Sequence, residues 1–108
     1  MMSINAKILT IAIALAVVLS IPLTAGAQDA AALFKSKCAG CHAADGTGSP
    51  TGKKMGAHDF TSAEVQKMSD AELTDIITNG KNKKMPQYGS LKPEEIKGLV
   101  AYIRTLKK

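Results

Sequence analysis

The sequence predicts a small all-α domain, and three observations support this. Ser69 and Glu72 have the spacing of a capping box directly ahead of an apolar stripe, which signals the start of a helix. After Pro93, apolar residues recur every three or four positions up to Leu106, as they do on one face of a helix. Residues 28–108 contain no alternation of apolar and polar residues that would indicate a strand. We therefore expect three to four short helices joined by loops.

The first 27 residues have the pattern of a secretory signal peptide. Lys7 is followed by an uncharged run of fourteen residues, 8–21, and later by the small-residue sequence Ala25-Gly26-Ala27. These features predict a signal peptide over residues 1–27, cleavage before Gln28 and export to the periplasm. The run is shorter than the ~20 residues of a membrane-spanning helix, so an uncleaved membrane anchor is the weaker alternative. The mature domain is then expected to cover residues 28–108.

The first half of this domain is predicted to hold two helices separated by a long loop. Good helix formers predict a helix over residues 29–37. Residues 43–59 contain four glycines and a proline, so we expect an irregular loop there. Thr61 and Glu64 then have the spacing of a capping box, which predicts a short helix up to Lys67.

Two longer helices are predicted in the second half. The helix opened by Ser69 is expected to end at Gly80, because glycine suits the residue that follows a helix. Met68 and Leu73 occupy the positions of a hydrophobic staple at its start. The last helix is predicted to begin near Pro93, a residue favoured in the first helical turn. Its apolar face consists of Ile96, Leu99, Val100, Ile103 and Leu106.

Residues 38–42, which we call the haem motif, indicate the cofactor. Cys38 and Cys41 are the only two cysteines, and with His42 they form C-x-x-C-H, the pattern of a c-type haem attachment site. Two thiols at this spacing can each form a thioether with a vinyl group of one porphyrin, while the adjacent imidazole binds its iron. A haem would also add apolar mass to a small domain with only four aromatic residues. We predict one covalently bound haem c, with His42 as an axial ligand.

Other uses of these residues explain less of the pattern. A thioredoxin-like redox pair of Cys38 and Cys41 would need a βαβ context, which the sequence does not show. A structural zinc would need four ligands, and His58, the remaining candidate, is not at zinc-finger spacing from His42. A plain disulfide or a buried pair of cysteines would leave His42 without a role.

Met85 is the predicted second axial ligand. The following Pro86 disfavours helical geometry at Met85, so we expect an extended loop from which the thioether can reach the iron. Met68 already has an explanation as part of the staple, and Met55 is expected to fill a gap against the porphyrin. His58 is expected to be a solvated surface residue. These three residues, or an open iron site, are the alternatives.

The predicted ligands indicate electron transfer. A thioether favours ferrous iron relative to imidazole, so His/Met ligation raises the reduction potential. Two protein ligands also leave no iron position for a substrate. We therefore predict a one-electron carrier that is not an enzyme. The alternative is a haem-based sensor or ligand-binding protein whose sixth iron position is open or labile.

The chain resembles a small class I cytochrome c, of the short bacterial and photosynthetic monohaem type, over nearly all of residues 28–108. The resemblance implies a cytochrome c fold in which the first and last helices cross and short helices and loops surround one haem. It rests on the haem motif and on Asp45-Gly46-Thr47-Gly48, Asn79-Gly80, Met85-Pro86-Gln87-Tyr88-Gly89 and Leu99-Val100-Ala101-Tyr102-Ile103.

The resemblance also implies specific contacts. Phe34 and Tyr102 are expected near the helix crossing, and the backbone carbonyl of Pro50 is expected to bind the free ring nitrogen of the haem histidine. The chain departs from the family at Ala30, where a glycine is usual, and at Lys92, where a hydroxyl side chain usually caps the last helix. The missing cap should cost about 1 kcal/mol.

The basic residues predict the kind of partner. The chain has 14 Lys and Arg against 9 Asp and Glu, a net charge of +5. We expect two lysine groups near the exposed haem edge, where they would steer an acidic redox partner, although a merely solvated basic surface is the alternative. Few aromatics accompany them, so nucleic acid is not an expected partner. The two lysine groups are Lys35 and Lys37, and Lys81, Lys83 and Lys84.

The mature protein is expected to be a monomer without stable membrane association.

Overall fold

The computed structural model describes residues 25–108. Residues 1–24 of the predicted signal peptide therefore lie outside the described residues. Within the described range no helix has the length and apolar character needed to cross a membrane. The helices are α1 (Ala25–Lys37), α2 (Ala39–His42), α3 (Pro50–Lys54), α4 (Ala63–Gln66), α5 (Asp70–Asn79) and α6 (Pro93–Thr105).

The all-α prediction is confirmed for the part of the chain that the structure describes. Its β structure there is limited to one isolated bridge between Lys81 and Met85. Helices α1 and α6 make the most extensive interhelical contact, and α5 packs on α6. Phe34 is 1% exposed, and its ring centroid lies 4.8 Å from that of Tyr102, as expected for the helix crossing. Ala30 is buried in the same core.

Two parts of the first half differ from the prediction. Helix α1 begins at Ala25, four residues before the predicted start, and ends at Lys37 as expected. The prediction of an irregular loop is wrong over Pro50–Lys54, which forms α3. The Ser49 hydroxyl accepts a hydrogen bond from the Gly52 N–H at 3.0 Å. This cap, together with proline at the first helical position, outweighs the helix-breaking tendency of a single glycine.

The predicted cap of α4 is wrong by one residue. Ser62 caps this helix by accepting a hydrogen bond from the Val65 N–H at 3.4 Å, whereas the Thr61 hydroxyl donates to Asp59 Oδ1 at 2.6 Å. Asp59 competes for the Thr61 hydroxyl because an aspartate side chain can form a local turn with the residue two positions later. The helix ends at Gln66, one residue before the predicted end.

The predictions for α5 and α6 are confirmed, except that α6 ends at Thr105 and Leu106 follows it as the C-cap residue. Ser69 Oγ accepts from the Glu72 N–H at 3.1 Å, and the Glu72 carboxylate accepts from the Ser69 N–H at 3.3 Å, which completes the capping box. Gly80, with φ of 75°, follows α5. At the start of α6 the Lys92 side chain supplies no cap, but its N–H donates to Glu95 Oε1 at 2.9 Å. The buried residues of α6 are Ile96, Leu99, Val100 and Ile103.

Candidate functional site

A cavity of about 240 Å³ brings the predicted site residues together. Cys38, Cys41 and His42 line it from the haem motif, and Met85 lines it from a segment more than forty residues later in the chain. Apolar side chains from α4, α5 and α6 form part of the remaining wall. The apolar wall residues include Val65, Leu73, Ile77 and Ile103.

Hydrogen bonds to neighbouring segments fix the backbone of the haem motif. The Cys38 N–H donates to Phe34 O at 2.8 Å, which ties the motif to the end of α1. The Cys41 carbonyl accepts from both the N–H and the hydroxyl of Ser49, at 3.0 and 3.2 Å. The Gly48 N–H donates to His42 O at 2.8 Å. The segment leading into α3 therefore holds the motif carbonyls in place.

Gly52 allows α3 to lie directly against the haem motif. A Cβ atom at this position would lie 1.8 Å from the Cys41 carbonyl oxygen and 2.6 Å from its carbon. Only a residue without a Cβ permits this approach. The sequence marked Gly52 as a loop residue, but the observed reason for glycine is the close contact of two backbones.

Burial favours the neutral forms of the motif side chains. Desolvation raises the pKa of the Cys38 thiol, and nearby Lys37 opposes this shift. Desolvation lowers the pKa of His42, and the neighbouring His58 lowers it further. A neutral imidazole is the form that binds a metal ion, so the site holds His42 ready for coordination.

The His42 ring packs face to face on Phe60. The two ring centroids are 4.3 Å apart and the ring planes differ by 25°. His42 Nδ1 is buried and has no hydrogen-bond partner among the described residues. The expected bond from this nitrogen to the Pro50 carbonyl is therefore wrong, because Pro50 begins α3 and helical carbonyls point along the helix toward the following turn. Phe60 was not identified from the sequence.

Met85 lies in a short turn that closes on itself. We call residues 80–88 the Met85 loop. The Met85 N–H donates to Lys81 O at 3.1 Å, and the Lys81 N–H donates to Met85 O at 3.3 Å. Between them, Asn82 and Lys83 have left-handed φ angles of 55° and 58°. The Tyr88 hydroxyl donates to Lys37 O at 3.0 Å and so connects the loop to the residue that precedes the haem motif.

The three alternative ligands also line the cavity. Met55 is 40% exposed, and the His58 side chain is 55% exposed and lies 3.5 Å from Glu64 Oε1. Met68 packs against the hydrophobic core that contains Leu73, consistent with the predicted staple. Met85 is half-buried against the same core. Burial therefore separates Met85 from the exposed Met55 and His58, and the staple accounts for Met68.

The donor set fits a c-type haem. Both cysteines are free thiols, so the disulfide alternative is not formed. The two thiols and the imidazole of the haem motif, with methionine thioethers elsewhere on the wall of the same apolar cavity, are the groups that attach such a haem and hold its iron. For zinc the fit is poor, because residues 25–108 contain no cluster of three or more His, Cys, Asp or Glu side chains suited to a metal ion.

Comparisons with known proteins agree with this donor set. The family model for cytochrome c oxidase, cbb3-type, subunit III matches residues 25–103. Cytochrome c6 of Anabaena variabilis is 36% identical over 85 residues, which cover 73% of this chain and 90% of that protein. The solved structure of the c-type cytochrome KustC0563 aligns with a TM-score of 0.70 at 36% identity, covering 74% of this chain and 99% of its own. A point mutant of KustC0563 aligns with a TM-score of 0.67 at 37% identity, covering 73% and 99%.

Proposed function

Because this chain belongs to the small monohaem class I cytochromes c, we propose that its haem is attached by Cys38 and Cys41 and ligated by His42 and Met85. Membership of the family establishes a haem-based electron carrier, not an enzyme, with a covalently attached haem c and redox proteins as partners. The observation that carries the site is one apolar cavity lined by both thiols and the imidazole of the haem motif and by Met85. Met85 is preferred to Met55 and His58 because it is half-buried and they are exposed.

Each of these residues has a distinct part in the proposed site. When bound, haem c supplies reversible one-electron chemistry at its iron. Cys38 and Cys41 each give their sulfur to a thioether bond, which makes the attachment permanent. His42 binds the iron through a neutral imidazole, the form favoured by its burial. Met85 gives a soft thioether, which stabilises ferrous iron and raises the reduction potential.

The Met85→Ala variant tests the assignment of the second ligand. The variant should keep its covalent haem, because both cysteines remain, but lose the far-red ferric band of an iron-thioether bond and show a lower potential. Met55→Ala and Met68→Ala are matched controls, since both side chains line the same cavity, and both variants should keep the band. Retention of the band in Met85→Ala and its loss in a control would assign the ligand to that control residue instead.

The same preparation distinguishes a carrier from a sensor. If His42 and Met85 hold both axial positions, the native ferrous protein should bind carbon monoxide slowly or not at all. Prompt binding by the native protein, at a rate equal to that of Met85→Ala, would favour a sensor with an open or labile position.

We further propose that lysines at the cavity mouth guide an acidic redox partner. Lys37, Lys81 and Lys84 are exposed and line the cavity, and Lys83 lies between the latter two in the Met85 loop. A positive surface around the point of electron exit raises the rate of encounter with a negative partner, and salt weakens the effect. We propose a monomer as the form that docks, because a monomer leaves the cavity mouth and its lysines exposed to the partner.

Charge reversal at two places separates steering by this surface from a general effect of net charge. The triple change of Lys81, Lys83 and Lys84 to Glu should slow electron transfer to an acidic partner, mainly at low ionic strength. The control reverses three lysines that do not line the cavity and should have a much smaller effect. Equal rates for the two variants at low salt would remove the docking proposal. The control residues are Lys92, Lys97 and Lys107.

We also propose that residues 1–27 direct export to the periplasm and are removed there. The support is the sequence pattern of a single lysine, an uncharged run and the Ala25-Gly26-Ala27 site. The intact mass of the exported holoprotein tests this, since cleavage before Gln28 should give the mass of residues 28–108 plus one haem. A mass that includes residues 1–27 would instead support an uncleaved anchor.

A further inference from the structure

We propose that Phe60 is a positioning residue for His42: its ring, stacked on the imidazole, sets the plane of the iron ligand. The inference rests on the proposed function, in which His42 binds the haem iron. The centroids of the two rings are 4.3 Å apart and their planes are 25° from parallel, so the imidazole cannot turn about its Cβ–Cγ bond without striking the phenyl face.

Phe60 can act in this way because its own position is fixed from both sides. Its N–H donates to Gly46 O at 2.9 Å, and its carbonyl accepts from Gln66 Nε2 at 2.7 Å. The ring also makes an edge contact with Phe34, with centroids 6.3 Å apart and planes 61° apart. Gly46 sits so close that a Cβ there would lie 3.1 Å from the Phe60 Cβ.

The anchor continues into the last helix. Gln66 Nε2 also donates to Ile103 O at 2.9 Å, so a single amide bridges Phe60 and α6. The Arg104 guanidinium in turn donates to Gln66 O at 3.1 Å and to Asp70 Oδ1 at 2.8 Å. The plane of His42 is thus connected through Phe60 and Gln66 to the core packing of α6.

The contact matters because the usual device for orienting such a histidine is not used. A metal-binding histidine ordinarily donates its second ring N–H to a carbonyl or carboxylate, which fixes the ring and strengthens it as a ligand. His42 Nδ1 is buried and has no such partner among the described residues. Face contact with Phe60 replaces this hydrogen bond as the restraint on rotation, but it does not strengthen the ligand.

Phe60→Leu removes the flat face and tests the inference in the holoprotein. The low-spin ferric EPR signal should broaden or shift, because its g-values depend on the orientation of the axial ligand, and the reduction potential should move with it. Phe60→Tyr keeps the ring and should retain the native signal. Tyr102→Leu is the control, because it removes a core aromatic ring that packs on Phe34 and makes no ring contact with Phe60 or His42; it should lower stability while leaving the g-values native.

The possible outcomes separate this inference from the proposed function. If Phe60→Leu retains the native g-values and potential, or if Tyr102→Leu changes them equally, Phe60 does not position the ligand. Phe60→Met, which keeps more of the apolar volume, gives the same test if the leucine variant does not fold. A native protein whose hyperfine-shifted NMR signals lack an iron-bound imidazole would instead overturn the ligation by His42 itself.

Discussion

Replacement of Gly52 by alanine should force α3 away from the haem motif. The added Cβ would lie 1.8 Å from the Cys41 carbonyl oxygen, 2.6 Å from the carbonyl carbon and 3.0 Å from the Cα. All three atoms belong to the backbone, so rotation of a side chain cannot relieve the contact. One of the two backbone segments has to move by roughly 1.5 Å before ordinary contact is restored.

The expected cost follows from what this movement breaks. The Ser49 N–H is 3.0 Å from the Cys41 carbonyl, and the Ser49 hydroxyl is 2.8 Å from the Gly40 carbonyl, so both hydrogen bonds would lengthen. Overpacking of this kind and the weakened hydrogen bonds together should cost roughly 2 to 4 kcal/mol. A core of this size rarely contributes more than about 3 to 5 kcal/mol without its haem, so the loss is large on that scale.

Guanidinium unfolding of the holoprotein, followed by both the haem absorbance and far-UV circular dichroism, measures this loss. Gly40→Ala is the control, because a Cβ at Gly40 has no atom within 4 Å and the residue lies in α2 of the same motif. The control should change the free energy of unfolding by less than about 1 kcal/mol. Equal unfolding midpoints for the two variants would refute the claim that Gly52 is required by the contact with Cys41.

Three further variants address the Met85 loop and the loop before α4. Tyr88→Phe removes the hydrogen bond to Lys37 O and should cost about 1 kcal/mol, with the far-red band lost at lower denaturant concentration. Lys83→Gly relieves a left-handed residue and should stabilise the loop by about 0.5 to 1 kcal/mol, with the band lost at higher denaturant concentration. The Thr61 hydroxyl, followed by its N–H, lowers the pKa of Asp59, so Thr61→Val should raise that pKa in an NMR titration. A lowered carboxyl pKa stabilises the native protein at pH values above the ordinary pKa of an aspartate. The difference in the free energy of unfolding between the native protein and Thr61→Val should therefore disappear as the pH falls through the lowered pKa of Asp59.

The sequence predicts those parts of the protein that depend on local signals. The capping box at Ser69, glycine after α5 and the apolar face of α6 each involve residues within a few positions of one another, and all three are confirmed. The cofactor is predictable for the same reason, because the haem motif is contiguous. Helix α3 was not predicted because the cap at Ser49 favours a helix while several nearby glycines disfavour one. Which tendency prevails depends on how the segment packs in space.

The support for the imidazole could not be predicted from local signals. Phe60 lies 18 positions after His42, and Gln66 reaches Ile103 across 37 positions. Neither pair belongs to a regular pattern, since each contact depends on how α4 and α6 pack. The resemblance suggested Pro50 as the partner of the histidine, but Pro50 lies at the start of a helix that the loop prediction did not include.

The two sides of the proposed site are supported in different ways. On the His42 side, backbone hydrogen bonds from two segments, a glycine contact and a stacked aromatic ring all hold the haem motif. On the Met85 side, a self-closed turn contains two non-glycine residues in left-handed conformation, and one tyrosine hydroxyl connects it to the residue before the motif. Strain lowers the local stability of the Met85 loop, while the tyrosine bond raises it. Tyr88→Phe and Lys83→Gly should therefore act in opposite directions on the iron-thioether bond and leave the imidazole in place, because none of the contacts that fix His42 passes through the loop.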